Sequence, residues 1–165
     1  MVDLPIAVRV KNFPQLLVAI LGCELIGILG SVFTVSSIAT WYATLNKPSF
    51  APPNWLFGPV WTLLYFLMGV SLYLVWQQGT KKKKVRAALM YFSIQLALNF
   101  IWPPIFFGLR SPALALLVIV AMWVMIVATI RRFYPLSRWA ASLLVPYLLW
   151  VSFATVLNGF IVALN

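Results

Sequence analysis

Five apolar stretches, each long enough to cross a lipid bilayer, dominate this chain and leave no room for a sizeable soluble domain. Of its 165 residues, 64% are hydrophobic, and the mean hydropathy is +1.00. A soluble domain of this size could not bury so much apolar surface. We therefore predict an all-α integral membrane protein, a single domain over residues 1–165 folded as a five-transmembrane-helix bundle. The predicted helices cover residues 13–35, 55–76, 85–109, 112–130 and 139–164.

Basic residues are concentrated on one side of the predicted bundle. Ten of the 12 Lys and Arg residues fall in the N-terminal segment and in the second and fourth connections, whereas Lys47 and Arg110 fall on the other side. The positive-inside rule then predicts a cytoplasmic N-terminus and a C-terminus outside. With no recognisable targeting sequence, this bias favours a prokaryotic cell membrane. The charges lie at helix ends, so we expect no nucleic-acid partner. The ten residues are Arg9, Lys11, Lys81, Lys82, Lys83, Lys84, Arg86, Arg131, Arg132 and Arg138.

Residue types that often hold metals are scarce in this sequence. The chain has no histidine and a single cysteine, Cys23, so we expect no metal site, no intramolecular disulfide and no obligatory cofactor. Glu24 stands out, because a carboxyl group halfway along a membrane span is costly and normally points inward. Two interpretations stay open: Glu24 serves a functional site, or it remains protonated and bonds to a neighbouring helix. The nearby Gly22, Gly27 and Gly30 are interpreted as points of close helix approach.

The connection between the first two spans, at about residues 36–54, departs most from plain membrane packing. Its prolines stiffen the backbone and prevent a continuous helix. An interfacial aromatic belt accounts for Trp55, but not for aromatic residues that lie among prolines and away from helix ends. We therefore interpret this connection as a lid over a ligand pocket. Its prolines and other aromatic residues are Trp41, Tyr42, Pro48, Phe50, Pro52 and Pro53.

Aromatic and polar residues also collect toward the outer ends of the third and fifth spans. Pro103 and Pro104 should kink or end the third helix and free backbone carbonyls, for which Asn99 is a candidate partner. The topology places both clusters in the same half of the membrane as the lid, where they would suit a large, flat, mostly apolar ligand. The fourth span is nearly uniform aliphatic sequence and is interpreted as packing or lipid contact. The polar residues of the fifth span, expected to face the bundle interior, are Ser152, Thr155 and Asn158.

Three segments of the chain resemble, in the same order, the translocator protein / tryptophan-rich sensory protein (TspO/MBR) family. They read WYATLNKPSFAPPNWLFGPVWTLLYFLMG, QLALNFIWPPIFFG and PYLLWVSFATVLN. The resemblance implies five transmembrane helices, usually in a homodimer, around a pocket that opens under the first loop. Family members bind porphyrins and haem-related tetrapyrroles, and animal members bind cholesterol and benzodiazepine-type drugs.

The motif positions imply which residues form the lid and which line the pocket. Ala154 falls where the family's ligand affinity is sensitive to side-chain size. After Asn158 the animal proteins continue with a Tyr and an Arg of a proposed cholesterol-recognition motif, whereas this chain has no basic residue there, which argues against sterol binding. The implied ligand-binding residues are Trp41, Tyr42, Pro48 and Pro52 in the lid, Trp61 and Tyr65 in the second span, Asn99, Trp102 and Phe106 in the third, and Trp150, Ala154 and Leu157 in the fifth.

Three functions follow from the resemblance, and the first is a receptor or sensor that binds tetrapyrroles in the bilayer. The second is light- and oxygen-dependent degradation of bound porphyrin, with Trp41, Trp61 and Trp150 as candidate photochemical residues. That chemistry would suit a chain with only two carboxylates, Asp3 and Glu24, and no dedicated catalytic machinery. The third is transport of tetrapyrroles or sterols. The expected partners are thus a tetrapyrrole, the bilayer and a second copy of the chain.

Overall fold

The computed structural model describes residues 10–165, and every regular element in that range is helical. The predicted all-α architecture is therefore confirmed. Five segments are long and apolar enough to span a membrane, and each ends within three residues of its predicted limits: Phe13–Ile38, Asn54–Trp76, Lys83–Gly108, Pro112–Phe133 and Arg138–Leu164. The α-helices are α1 (Phe13–Ile38), α2 (Trp41–Thr44), α3 (Phe57–Trp76), α4 (Lys83–Pro103), α5 (Pro112–Phe133), α6 (Arg138–Leu143) and α7 (Val145–Leu164).

The first span begins at a capped N-terminus. The side chain of Asn12 accepts a hydrogen bond from the Gln15 backbone N–H at 3.2 Å, which satisfies one of the free donors of the first turn. The Tyr73 hydroxyl, near the end of α3, accepts from the backbone N–H groups of Lys11 and Asn12 at 2.8 and 3.2 Å. The start of α1 is thereby tied to the end of α3. Arg9, one of the predicted topology charges, lies outside the described residues.

The third span does not continue as a regular helix to its end. α4 stops at Pro103, and a π-helical turn follows over Pro104–Gly108, as the two prolines predict. The turn closes with a bond from the Leu109 N–H to the Pro104 carbonyl at 2.8 Å. The predicted role of Asn99 as a partner for freed carbonyls is wrong, because both groups of its side-chain amide are bonded to tyrosine hydroxyls.

The last span is broken where the sequence predicted one helix. α6 ends at Leu143, and α7 starts at Val145 with Pro146 in its first turn. A proline has no N–H and clashes with the preceding turn of a helix. It is therefore tolerated in the first turn of a helix but not in the interior. The break lies at the end of the bundle that carries the Lys-rich connection between α3 and α4, far from the lid.

Close approach between α1 and α3 depends on one glycine. A Cβ atom placed at Gly69 would lie 2.5 Å from the Ile20 Cα, so only glycine allows this backbone contact. Of the predicted close-approach glycines, Gly27 faces the Tyr65 ring and Gly30 lies near Pro103, whereas nothing lies within 4 Å of the position that a Cβ atom would take at Gly22. The interpretation of Gly22 is therefore wrong, because it lies on an exposed face of α1.

Candidate functional site

A cavity of about 500 Å³ lies inside the half of the bundle covered by the lid. Its volume falls within the range of small-molecule sites. Residues from α1, α2, α3, α4, α5 and α7 and from the π-helical turn line it, and most of its surface is apolar. The cavity is therefore formed jointly by all five spans and the lid.

Aromatic rings form much of the cavity wall. Trp61 and Tyr65, one helical turn apart on α3, have ring centroids 5.6 Å apart. Trp150 on α7 meets the edge of Phe57 at 5.8 Å. Trp102 stacks on Phe106 at 4.8 Å, and both rings line the cavity. Such faces offer stacking and burial to a flat ligand.

A chain of hydrogen bonds crosses the bundle beside these rings. The Tyr65 hydroxyl donates to Asn99 Oδ1, and Asn99 Nδ2 donates to the Tyr147 hydroxyl at 2.8 Å. All three side chains are buried, so each bond satisfies polar groups that would be costly to leave unpaired. The network fixes the orientation of Tyr65 and Asn99, which line the cavity.

The lid is held on the bundle by Tyr42. Its ring is buried against Phe106 and Phe107, at centroid distances of 6.2 and 5.7 Å. Lys47 closes the turn, because its Nζ donates to the carbonyls of Tyr42 and Leu45 at 2.8 and 3.2 Å and lies 4.7 Å from the Tyr42 ring centre. Burial raises the pKa of the Tyr42 hydroxyl above its ordinary value of 10.0.

Nine of the twelve predicted ligand-binding residues line the cavity, and three lid residues do not. Trp41 instead meets the edge of Phe106 at 5.7 Å and packs behind the cavity wall. Pro48 and Pro52 shape the lid, where the Pro48 carbonyl accepts from the Ala51 N–H at 3.0 Å. The nine lining residues are Tyr42, Trp61, Tyr65, Asn99, Trp102, Phe106, Trp150, Ala154 and Leu157.

One whole wall of the cavity was not predicted from the sequence. It is a face of α1, whose residues recur every three or four positions, as one side of a helix must. In the sequence, this spacing starting from Glu24 could have indicated which face of α1 lines the cavity. The fourth span packs in the buried core, as the sequence predicted, and its Ile119 and Met122 also line the cavity. The lining residues of α1 are Glu24, Gly27, Ile28, Gly30, Ser31, Thr34, Val35 and Ile38.

The cavity is open on the side where α1 faces the start of α3. Val35 on α1 and Trp55 just before α3 both line it, yet they are 70% and 72% exposed. In a membrane protein, surface at this level of the bundle faces lipid or the lipid headgroups. The cavity is therefore open at this exposed edge of the bundle.

Some polar side chains of α7 form hydrogen bonds with other helices, and others bond to carbonyls within α7. Asn158 donates to the Pro112 carbonyl at 2.9 Å and accepts from Trp102 Nε1 at 3.3 Å, and Ser152 accepts from Trp123 Nε1 at 2.8 Å. The Thr155 hydroxyl donates to the Val151 carbonyl within α7 at 2.7 Å. A threonine in a membrane helix can satisfy its hydroxyl in this way without any partner helix.

Comparison with known proteins agrees with these features. The model of the TspO/MBR family matches residues 19–164. The chain is 47% identical to the tryptophan-rich protein TspO of Archaeoglobus fulgidus, over 93% of this chain and 99% of that protein. It is 48% identical to the protein of the same name from Chlorobaculum tepidum, over 87% and 90%. It is 45% identical to the human translocator protein, over 84% and 80%. The chain therefore belongs to the TspO/MBR family and is an integral, multi-pass membrane protein.

Proposed function

We propose that this protein is a membrane receptor or sensor that binds porphyrins and related tetrapyrroles in the cavity beneath the lid. The observation that carries the proposal is the group of aromatic rings around a cavity of about 500 Å³, with Trp61, Trp102 and Trp150 on three different helices. A tetrapyrrole is large, flat and mostly apolar, so stacking and burial suit it. One relative is named as a tryptophan-rich sensory protein, which fits a sensory role.

Charge in the cavity favours one orientation of such a ligand. Among the lining residues there is no Lys or Arg, whereas Glu24 lies at the end far from the lid. The carboxylates of a porphyrin would therefore stay at the mouth, in contact with water, while the macrocycle lies between the rings.

The test is a titration of the purified protein with protoporphyrin IX in the dark, followed by tryptophan fluorescence quenching. We expect saturable quenching with a defined stoichiometry, weakened by at least about tenfold in Trp61→Ala, since a buried ring contributes about 1.5–3 kcal/mol. Trp139→Ala is the control, because Trp139 is exposed at the opposite end of the bundle and does not line the cavity. Quenching that never saturates, or equal weakening in both variants, would refute the proposal.

A second candidate is degradation of the bound porphyrin in light, with dissolved oxygen as the oxidant. It is favoured by the oxidisable indole rings in the cavity wall, which include two of the three candidate photochemical residues, Trp61 and Trp150. Trp41 lies outside that wall, so we expect Trp41→Phe to keep any such activity. Under illumination in air, a new absorbing species that forms with the wild type and not with Trp61→Phe or Trp150→Phe would support this candidate. A porphyrin spectrum that changes no faster than that of free porphyrin would refute it.

We also propose that the Lys-rich connection between α3 and α4 faces the cytoplasm of a prokaryotic cell and that the lid faces outward. The charge asymmetry of the sequence supports this orientation. In a Cys23→Ala background, which removes the chain's single cysteine, a cysteine can be placed at Ser49 in the lid or at Lys83. We expect a membrane-impermeant maleimide to label Ser49→Cys, and not Lys83→Cys, in intact cells. The reverse labelling would overturn the orientation.

A further inference from the structure

Glu24 lines the end of the cavity far from the lid, and neither the aromatic wall nor the lid explains a carboxyl residue there. Glu24 lies near the middle of α1, about 21 Å along the helix axis from the end of that helix at Ile38. It lines the cavity together with Gly27 and Ile28, one turn nearer the lid. Glu24 is thus the deepest α1 residue in the cavity wall, at a depth where a membrane protein rarely carries a charge.

Within the part of the chain that the structure describes, nothing partners this carboxyl group. None of the hydrogen bonds between side chains of residues 10–165 includes Glu24, although Tyr65, Asn99 and Tyr147 are linked to one another nearby. The cavity wall contains no Lys or Arg that would form an ion pair with it. A bond to a neighbouring helix, one of the two interpretations that the sequence left open, is therefore absent among the described residues.

The surroundings of Glu24 are suited to a cation. A carboxylate attracts a positive charge, and the faces of Trp and Tyr rings attract it as well through their quadrupoles. Tyr65 packs against Gly27, one turn from Glu24, and Trp61 lies 5.6 Å from Tyr65. The absence of a side chain at Gly27 leaves the Tyr65 ring next to the α1 backbone, so the carboxyl group and the rings belong to one end of the cavity.

We propose that Glu24 is the anchoring group of a second ligand class: flat aromatic molecules that carry a protonated nitrogen. Such a ligand would place its rings between the tryptophans and its N–H⁺ on the Glu24 carboxylate. The inference uses the cavity described above but does not depend on tetrapyrrole binding, because a porphyrin carries its charges as carboxylates. Glu24 would then determine which charge the deep end of the cavity accepts.

The experiment compares two probes of nearly the same shape, 9-aminoacridine, which is a cation at neutral pH, and acridine, which is neutral. Binding is measured by fluorescence in nanodiscs of zwitterionic lipid, with protein-free nanodiscs subtracted for partitioning into the bilayer. We expect the wild type to bind the cation at least about tenfold more tightly than the neutral ring, since charged hydrogen bonds contribute about 1.5–3 kcal/mol. In Glu24→Gln this ratio should fall to about one, with the affinity for acridine unchanged.

Two further variants separate charge from structure. Glu24→Asp keeps the carboxylate and should retain most of the preference. Ser36→Ala is the matched control, because Ser36 lies on α1, does not line the cavity and donates its hydroxyl only to carbonyls within α1. It should leave the preference intact. A preference that survives Glu24→Gln, no preference or no saturable binding in the wild type, or equal loss of both probes in Glu24→Gln would overturn the proposal.

The outcome is distinguishable from that of the tetrapyrrole proposal. Protoporphyrin quenching is measured on the same nanodiscs. Saturable porphyrin binding without an acridine preference would overturn the role of Glu24 alone, whereas a Glu24-dependent preference without porphyrin binding would support the role of Glu24 and refute the tetrapyrrole function.

Discussion

Asn46 and Asn165 join the lid to the end of the last helix by reciprocal hydrogen bonds. The Asn46 backbone N–H donates to Asn165 Oδ1 at 2.9 Å, and Asn165 Nδ2 donates to the Asn46 carbonyl at 3.0 Å. One side-chain amide thus pairs with both backbone groups of one lid residue, as a neighbouring strand would. A third bond runs from Asn46 Nδ2 to the Leu164 carbonyl at 3.3 Å. Together with the buried Tyr42 ring, these bonds hold the lid over the cavity.

We expect Asn165→Ala to loosen the lid. It removes both reciprocal bonds, and each net hydrogen bond contributes about 0.5–1.5 kcal/mol, so local opening should become about tenfold more frequent. Hydrogen exchange at the Asn46 amide measures this directly. Thr44→Val is the control, since the Thr44 hydroxyl bonds only to Trp41 within α2. Unchanged exchange at Asn46 in Asn165→Ala would show that the pair does not hold the lid.

The contact between α1 and α3 should tolerate no side chain at position 69. In Gly69→Ala the new methyl group would lie 2.5 Å from the Ile20 Cα, so the two backbones must separate, at a cost of about 1–3 kcal/mol. Gly22→Ala is the matched control on α1, because nothing lies within 4 Å of its Cβ position. We expect a lower thermal midpoint in detergent for Gly69→Ala, and an unchanged or higher one for Gly22→Ala. Equal midpoints would contradict the close approach.

Asn99 should be more important for stability than either tyrosine bonded to it. Asn99→Leu leaves the Tyr65 and Tyr147 hydroxyls buried without their partner, at about 1–3 kcal/mol each. Replacing all three polar groups, in Asn99→Leu with Tyr65→Phe and Tyr147→Phe, should recover much of this loss, because no unpaired polar atom then remains. Chemical denaturation of the single and triple variants tests the prediction. A triple variant less stable than Asn99→Leu would show that the rings, and not the network, dominate.

The lid should weaken at high pH through Tyr42. Burial raises the pKa of Tyr42 in the folded protein above its ordinary value of 10.0, so the neutral hydroxyl is favoured in the closed lid. Its contribution to stability is complete below pH 10.0 and is lost as the pH rises through the folded pKa. Hydrogen exchange of the lid, corrected for the intrinsic rate, should show more opening above that pH in the wild type. Tyr42→Phe should remove this pH dependence, and its persistence there would assign the effect to another group.

The parts of this structure that depend on local sequence were predictable. Membrane spans follow from runs of about 20 apolar residues, and the lid follows from prolines that stop helices at positions such as Pro48 and Pro52. The irregular end of α4 at Pro103 was predicted for the same reason. Nine of the motif residues line one cavity, because alternating spans bring the ends of the third and fifth helices to the lid side.

The cavity lining and the long-range hydrogen bonds depend on which helix faces meet. Apolar composition carries little information about which faces those are. All sides of a membrane helix are apolar, so hydropathy did not indicate that Ile119 faces the cavity or that the α1 face from Glu24 to Ile38 forms a wall. The pairing of Asn99 with Tyr65 and Tyr147, and of Asn46 with Asn165, joins residues far apart in the chain. The sequence by itself determined the number of spans, their order and the stiff lid, since these follow from hydrophobicity and backbone restriction. The tertiary structure alone decided the cavity, because a cavity exists only where packed helices fail to touch.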